Sequence, residues 1–138
     1  MKSISSLIEI DSIEVKELDK KLVSAGQEDI LKGLTTDVYF VRTLDILKHM
    51  NLDETEVTAE IFARKEGIFV GIDEVKEILK DKDIELWALE EGAKFKPKET
   101  LVRIKGKYNE FAIFESVILG CLASPSGWAT AAHEVKEA

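Results

Sequence analysis

The stretch from Gly106 to Ala132, GKYNEFAIFESVILGCLASPSGWATAA, is the longest apolar run in the chain and the strongest constraint on its fold. Its large apolar residues recur at steps of three and four, at Phe111, Phe114, Ile118 and Leu122. That spacing is typical of an amphipathic helix that buries one wide face. A chain that carries such a helix needs a second layer of structure to cover it.

Pro125 lies inside this run and predicts where the helix ends, because proline has no amide donor and clashes with the preceding turn. We therefore expect a tight turn at residues 124–127 and a second helix that starts near Trp128, with Ser126 as its cap. Gly127 and Thr130 belong to the same turn and helix start. A capped helix start beside a glycine is also a possible phosphate site.

The rest of the chain mixes both kinds of periodicity. Residues 13–24 read as a short surface helix with Val15, Leu18 and Leu22 inward, followed by a helical turn that Gly33 closes. Three strands are predicted. One follows from the alternation of apolar and polar residues at 57–64, and the other two from short apolar runs at 84–89 and 101–105. Gly67 and Gly71 bracket a further short strand, and residues 72–80 form a helix. The order predicts an α+β fold.

Composition excludes several classes of protein. The 138 residues suffice for a real core, and 45% hydrophobic with 33% charged residues is ordinary for a globular chain. A net charge of −8 disfavours nucleic acid as a partner. We expect no membrane span and no signal peptide. One cysteine, Cys121, on an apolar helix face fits a reducing, cytoplasmic setting.

The helix that follows Thr36 carries the best candidate for ligand binding. Thr36 is expected to cap it, with Asp37 in its first turn. Tyr39 and Arg42 fall on the side opposite the apolar face, where a core does not need them. An exposed aromatic ring beside an arginine can stack on a planar anion. The alternative is a surface tyrosine and a solvated arginine.

A local basic segment runs from residue 94 to residue 107. Its six basic residues accompany a single acid, Glu99. It could meet a phosphorylated ligand or an acidic neighbouring subunit, although lysines that solvate strand edges give the same pattern. The two histidines have no spaced partners, so no metal site is expected.

Three blocks in fixed order resemble a known family: GLTTDVYFVRTLDIL, FARKEGIFVGIDEVKEIL, and the segment from LEEGAKFKPKETLVRIKGKYNEF to SGWATAA. Together they are similar to the N-terminal part of nicotinate phosphoribosyltransferase and, more distantly, of quinolinate phosphoribosyltransferase. The resemblance covers residues 33–132. It implies an α+β fold in which an N-terminal α/β sandwich, partly a barrel-sandwich hybrid, occupies residues 1–109. Residues 110–138 would then start a truncated α/β barrel.

The same resemblance implies the chemistry. The family transfers a 5-phosphoribosyl group from phosphoribosyl pyrophosphate (PRPP) to the ring nitrogen of a pyridine carboxylate; nicotinate gives nicotinate mononucleotide in NAD salvage. Thr36, Asp37 and Tyr39 match a T-D-x-Y element near the pyridine ring, and Arg42 is a weaker candidate on the same helix. Ser126, Gly127 and Thr130 match the turn at the start of the barrel. Ser116 replaces an arginine of the quinolinate branch, which argues against quinolinate.

Three hypotheses stay open. The chain is the front part of an enzyme whose catalytic groups, Mg²⁺ and most PRPP contacts belong to a barrel that follows or to a companion chain. It is instead a binding module that lost the chemistry, or a structural module whose apolar helix mediates assembly. The catalytic residues are not identified, and no cofactor is assigned to this segment. Under each hypothesis we expect a homo-oligomer or a companion chain.

Overall fold

A computed structural model describes residues 25–138 of the chain, so the predicted helix at 13–24 lies outside the described residues. In order the elements are α1 (Gln27–Leu31), α2 (Val38–His49), β1 (Glu56–Phe62), β2 (Gly67–Ile68), α3 (Ile72–Leu79), β3 (Ile84–Ala88), β4 (Lys94–Phe95), β5 (Thr100–Lys107), α4 (Tyr108–Phe111), a 3₁₀ turn (Ala112–Phe114) and α5 (Glu115–Glu137). Helices and antiparallel strands follow one another as the α+β prediction requires.

The main sheet is antiparallel and has the order β1-β5-β3. Ala59 of β1 and Leu86 of β3 both lie opposite Ile104 of the central strand. Along β1 the side chains alternate strictly between exposed and half-buried, as expected for a sheet with one covered face. All three long strands were predicted, although β5 also buries Leu101 next to Val102, so its start departs from simple alternation.

The core lies between the inner face of this sheet and the helices α3 and α5. Its largest fully buried side chains come from both layers: Phe69, Ile72, Val75, Val102, Phe114 and Ile118. The apolar face predicted for residues 111–122 is confirmed, because Phe111 of α4, Phe114 of the 3₁₀ turn, and Ile118 and Leu122 of α5 are all buried. Removing so many large apolar side chains from water is the main force that holds the layers together.

The segment between β1 and α3 joins the small sheet to the helices. β2 pairs with β4, and Gly71 adopts a positive φ of 103° at the start of α3. The Glu91 carboxylate accepts hydrogen bonds from the amides of Gly71 at 2.8 Å and Ile72 at 3.2 Å. It therefore caps α3 from a distant loop. The predicted inward face of α3, which includes Ile72 and Val75, is buried as expected.

Helix α5 corrects the prediction at Pro125, because it runs without a break through that proline. In a regular helix the amide of residue 125 would bond to the Cys121 carbonyl, and proline removes that bond. The carbonyl faces Gly71 so closely that a Cβ there would lie 2.0 Å from its oxygen. The amides of Val70 and Ile68 donate hydrogen bonds to the Ser126 and Thr130 hydroxyls, and these bonds hold the helix beyond the proline. Neither a turn at 124–127 nor a new helix start exists.

The unbroken helical stretch 108–137 also affects the membrane expectation. By length and composition alone it is long and apolar enough to cross a membrane. Its residues Phe111, Phe114, Ile118 and Leu122 pack in the core, and the core helix of a soluble domain meets the same criteria. The stretch is therefore weak evidence for a membrane span.

Candidate functional site

The start of α2 is built by Asp37, and here the sequence prediction was wrong by one residue. Asp37 has extended backbone angles and is the N-cap, and its carboxylate accepts a hydrogen bond from the Tyr39 amide at 2.9 Å. Thr36 lies just before the cap. Among the described residues the buried Oγ1 atoms of Thr35 and Thr36 have no hydrogen-bond partner. The cap fixes the direction in which Tyr39 leaves the helix.

Tyr39 and Arg42 lie on the outer side of α2, as the periodicity predicted. The Tyr39 side chain is 65% exposed, and its ring meets the half-buried Phe40 ring edge to face at 5.4 Å. Arg42 is exposed one turn later. Within residues 25–138 it forms no ion pair. An open aromatic ring and an unpaired cation thus share one surface, while their role as a pyridine carboxylate site stays a prediction.

Two further residues of this region were missed by sequence reasoning. Tyr108 begins α4 and is half-buried, with its amide donating to the Thr55 carbonyl at 3.0 Å. Burial, followed by the nearby Tyr39 hydroxyl and Glu115 carboxylate, raises the pKa of Tyr108. Glu115 begins α5 and lines a pocket of about 320 Å³ with Ile61, Phe111 and other apolar residues. No local motif marks Tyr108, since only the fold brings it towards Tyr39.

The predicted turn residues have a structural function. The Ser126 hydroxyl accepts from the Val70 amide at 3.0 Å and donates to the Val70 carbonyl at 3.2 Å. The Thr130 hydroxyl accepts from the Ile68 amide at 2.9 Å and donates to the Ser126 carbonyl at 2.7 Å. Gly127 is exposed between them. These hydroxyls bind backbone in mid-helix, and nothing in this geometry adds to the phosphate prediction.

The basic segment is largely neutralised on the outer face of the sheet. Arg103 pairs with Glu60 at 2.7 Å, and Lys107 pairs with Glu54 at 2.9 Å. Lys105 lies between two carboxylates, and Lys94 reaches Glu137 at 3.9 Å. Each exposed pair of this kind contributes little stability. The carboxylates nevertheless neutralise basic side chains that could otherwise bind an anion. Lys96 and Lys98 are not part of these pairs.

A magnesium site would need several carboxylate oxygens in one place. Within residues 25–138, no group of three or more His, Cys, Asp or Glu side chains converges on a point where it could hold a metal ion. We therefore assign the Mg²⁺ implied by the resemblance to none of the described residues.

Comparison with known proteins agrees with this architecture. The family model described as "Quinolinate phosphoribosyl transferase, N-terminal domain" matches residues 37–126, which is more than half of the chain. The chain belongs to the quinolinate phosphoribosyl transferase family. The match begins at the Asp37 cap and ends at Ser126 in α5, so it includes Tyr39 and Arg42 but not Thr36, Gly127 or Thr130.

Solved structures extend the similarity. The nicotinate-nucleotide pyrophosphorylase from Pyrococcus furiosus is 37% identical over 82% of this chain, with a TM-score of 0.75. The nicotinate-nucleotide pyrophosphorylase from Francisella tularensis is 20% identical over 80% of the chain with a TM-score of 0.51, and NadC from Streptococcus pyogenes is 15% identical over 68% with a TM-score of 0.53. At these lower identities the likeness concerns the fold alone.

The chain spans only a part of these proteins. It covers 30% of the Pyrococcus furiosus protein, 41% of the Francisella tularensis protein and 40% of the Streptococcus pyogenes protein. The α+β fold of the family's N-terminal domain is thereby confirmed. The division at residues 109 and 110 stays a prediction. Family membership is compatible with nicotinate and with quinolinate, so the choice between these substrates depends on the residues of the site.

Proposed function

We propose that this chain is the N-terminal part of a phosphoribosyltransferase that transfers the 5-phosphoribosyl group of PRPP to nicotinate, giving nicotinate mononucleotide in NAD biosynthesis. The ring nitrogen of nicotinate forms the new bond to the ribose carbon, and pyrophosphate leaves with the electrons of the broken carbon–oxygen bond. Family membership supports the reaction type. The observation that carries the substrate is the surface around Tyr39, Tyr108, Glu115 and Ser116.

Nicotinate is a flat ring with one carboxylate, and this surface suits it. The exposed Tyr39 ring can stack on the pyridine, and Arg42 one turn later can face the carboxylate. Asp37 holds Tyr39 in place through the 2.9 Å cap. Quinolinate adds a second carboxylate beside the first. Ser116 offers this second carboxylate no cation.

In the complete enzyme these residues bind and orient the ring, and the catalytic contacts to PRPP are made by the remainder of the protein. Magnesium, when bound there, would offset the negative charge that develops on pyrophosphate. The residues of this chain hold no proton that the reaction requires, since the ring nitrogen of nicotinate attacks without losing one. Their contribution is therefore to binding and selectivity.

The direct test is formation of nicotinate mononucleotide from nicotinate, PRPP and magnesium. The 138-residue chain should be assayed alone and with any protein that co-purifies, against the complete gene product as reference. Turnover of nicotinate with little turnover of quinolinate supports the proposal, whereas the reverse preference contradicts the substrate assignment. Activity that needs a partner chain would identify a split enzyme.

Two variants sharpen the test. Tyr39→Ala should raise KM for nicotinate by about tenfold or more through loss of stacking, which corresponds to roughly 1.4 kcal/mol. Ser116→Arg should improve binding of quinolinate relative to nicotinate. Lys48→Ala, at the exposed far end of α2, serves as the control and should leave KM unchanged. An unaltered KM in Tyr39→Ala would remove Tyr39 from the site.

The second candidate is a non-catalytic binding or oligomerisation module derived from the same family. The observation that favours it is the exposure of Trp128 and Val135 on α5, which suits association with another chain. A titration of the isolated chain with nicotinate distinguishes it from the enzyme fragment. Saturable heat with nicotinate but no product in any combination of partners supports the module, and no heat with nicotinate or PRPP argues against it.

A further inference from the structure

An open groove of about 720 Å³ lies between the end of β1 and the outer side of α5, and it shares α5, but no lining residue, with the nicotinate surface. Its apolar lining includes Phe62 and Ala63 on one side, with Leu119, Leu122 and Ala123 on the other. A volume of this size is typical of sites for small molecules and cofactors. The groove is therefore large enough for a mononucleotide.

Two basic residues line this groove, and two more belong to a turn that is bonded to its wall. Arg64 and Lys65 line it directly. Lys96 and Lys98 come from the neighbouring turn between β4 and β5, which is fixed to the groove wall by a 2.8 Å hydrogen bond from the Lys98 amide to the Ala63 carbonyl. All four side chains are exposed. Four exposed basic residues therefore lie on or beside this groove in a protein of net charge −8.

These cations differ from the other basic residues of the same segments. Lys94, Arg103 and Lys107 each have a carboxylate within 4 Å. In the part of the chain that the structure describes, Arg64, Lys65, Lys96 and Lys98 have none. Arginine and lysine left without carboxylates in one place form the usual arrangement for phosphate groups.

Lys98 occupies a backbone conformation that lysine disfavours. The turn is closed by a 3.2 Å hydrogen bond from the Glu99 amide to the Lys96 carbonyl, with Pro97 second and Lys98 third at a φ of +63°. This is the position of a type II turn that glycine fills most easily. A lysine there costs about 1 kcal/mol or more. A lysine at this unfavourable φ therefore suggests that the Lys98 side chain has a function outside the turn.

Phe62 adds an aromatic surface to the groove. Its side chain is 59% exposed and directly precedes the Ala63–Arg64 segment. An open aromatic ring can stack on a nucleobase, and such stacking contributes about 1–3 kcal/mol. The groove thus combines an apolar cleft, a stacking surface and a cluster of cations. A phosphorylated ligand with a planar ring uses all three.

We propose that this groove is a nucleotide-binding site, in which Phe62 stacks on the base and Arg64, Lys65, Lys96 and Lys98 bind the phosphates. The carboxylates Glu66 and Glu134 also line the groove, and the Glu99 carboxylate accepts a hydrogen bond from the Lys96 amide at 2.8 Å. The phosphates must therefore lie against the cations and away from these three acids. The site shares no residue with the nicotinate surface on α2. Either assignment can therefore fail without affecting the other.

The test is calorimetric titration of the 138-residue chain at low salt with ATP, inorganic tripolyphosphate and adenosine. We expect saturable binding of ATP, weaker binding of tripolyphosphate and none of adenosine. Phe62→Ala should weaken ATP about tenfold and leave tripolyphosphate unchanged. Glu134→Gln should strengthen both phosphorylated ligands. Raising the salt concentration should weaken both, because the contacts are charge-assisted.

Lys98→Gly separates a functional lysine from a structural one. It should raise the free energy of unfolding by about 1 kcal/mol, because glycine relieves the positive φ, and should weaken ATP about fivefold. Lys94→Gln, which removes a lysine already paired with Glu137, is the matched control and should leave ATP binding unchanged. The proposal is overturned by the absence of saturable heat with ATP up to about 10 mM, by equal affinity for ATP and tripolyphosphate, or by unchanged ATP binding in Lys98→Gly.

Discussion

At the scale of single residues, Gly71 is the position where the fold tolerates least. It has a φ of 103°, and a Cβ there would lie 2.0 Å from the Cys121 carbonyl oxygen. Gly92 also has a positive φ, 81°, but a Cβ there would meet nothing within 4 Å. A substitution at Gly92 therefore tests the backbone strain of a positive φ alone, whereas one at Gly71 adds a steric overlap to that strain.

We predict that Gly71→Ala lowers the free energy of unfolding by about 3 kcal/mol or more, because the new methyl group forces α3 and α5 apart. Gly92→Ala should cost only about 1 kcal/mol, which is the strain of a positive φ alone. Urea denaturation of both variants measures the difference. Equal losses in the two variants would show that α3 and α5 move apart without cost.

Tyr108 makes stability depend on alkaline pH. Its folded pKa is raised above the ordinary value of 10.0 by burial, Tyr39 and Glu115. The unfolded chain therefore loses this proton first as pH rises. The stabilising contribution is complete below pH 10 and is lost as pH passes through the raised folded pKa.

The sequence contains only two tyrosines, so absorbance titration can assign this behaviour. Tyr39→Phe leaves Tyr108 as the single phenol and should bring its pKa towards the ordinary value, because the charge of Tyr39 is gone. Glu115→Gln should shift it in the same direction. The same Tyr108 pKa in the unaltered chain, Tyr39→Phe and Glu115→Gln would show that neither side chain lies close to Tyr108.

At the scale of elements, the contact between α5 and the β2 segment rests on two hydroxyl groups. Ser126 and Thr130 lie one helical turn apart and accept from the amides of Val70 and Ile68, which are two residues apart in the segment 67–70 that begins with β2. One helical turn rises about 5.4 Å, and two strand residues span about 6.6 Å. These two lengths are similar, so side chains one turn apart on the helix can accept hydrogen bonds from amides two residues apart in the facing segment.

We predict that Thr130→Val costs about 1–3 kcal/mol, since valine keeps the shape of threonine but leaves the part-buried Ile68 amide without its acceptor. Ser126→Ala should have a similar effect at Val70. Ser124→Ala, at an exposed position of the same helix, is the control and should change stability by less than about 0.5 kcal/mol. Thermal unfolding of the three variants tests the role of both hydroxyls.

At the scale of the whole molecule, α5 and the region of α2 expose large apolar side chains. Trp128 and Val135 on α5 are 77% and 79% exposed, and α2 buries no residue fully, with Ile46 on the helix and Met50 at its C-cap both exposed. Surfaces of this kind commonly mark sites of association. A chain that spans 30–41% of its solved relatives is expected to leave such surfaces open.

We predict that the chain forms a dimer or a larger assembly at micromolar concentration, or binds a companion chain, because burial of these side chains is favourable. Light scattering gives the mass. Trp128→Ser should weaken the assembly, whereas Trp87→Ser on the solvated outer face of the sheet is a matched control that should not. A monomeric mass for the unaltered protein would contradict the prediction.

The sequence by itself determined the elements whose signal is local. Periodicity identified the buried face of α3, the strands of the main sheet and the apolar face of α5, because period 2 and period 3.6 follow from backbone geometry. The exposure of Tyr39 and Arg42 followed from the same rule. The order of the blocks identified the family. None of these conclusions needed knowledge of which segments meet in space.

Tertiary structure alone decided the rest. Pro125 does not end α5, because Gly71 accommodates the Cys121 carbonyl and the β2 segment bonds to Ser126 and Thr130 beyond the proline. The fold likewise brings Tyr39 close to Tyr108 and Glu115. It also pairs most of the basic segment with carboxylates that are distant in sequence. Local propensity is small compared with the free energy of many packed and hydrogen-bonded contacts, so the tertiary contacts determine these features.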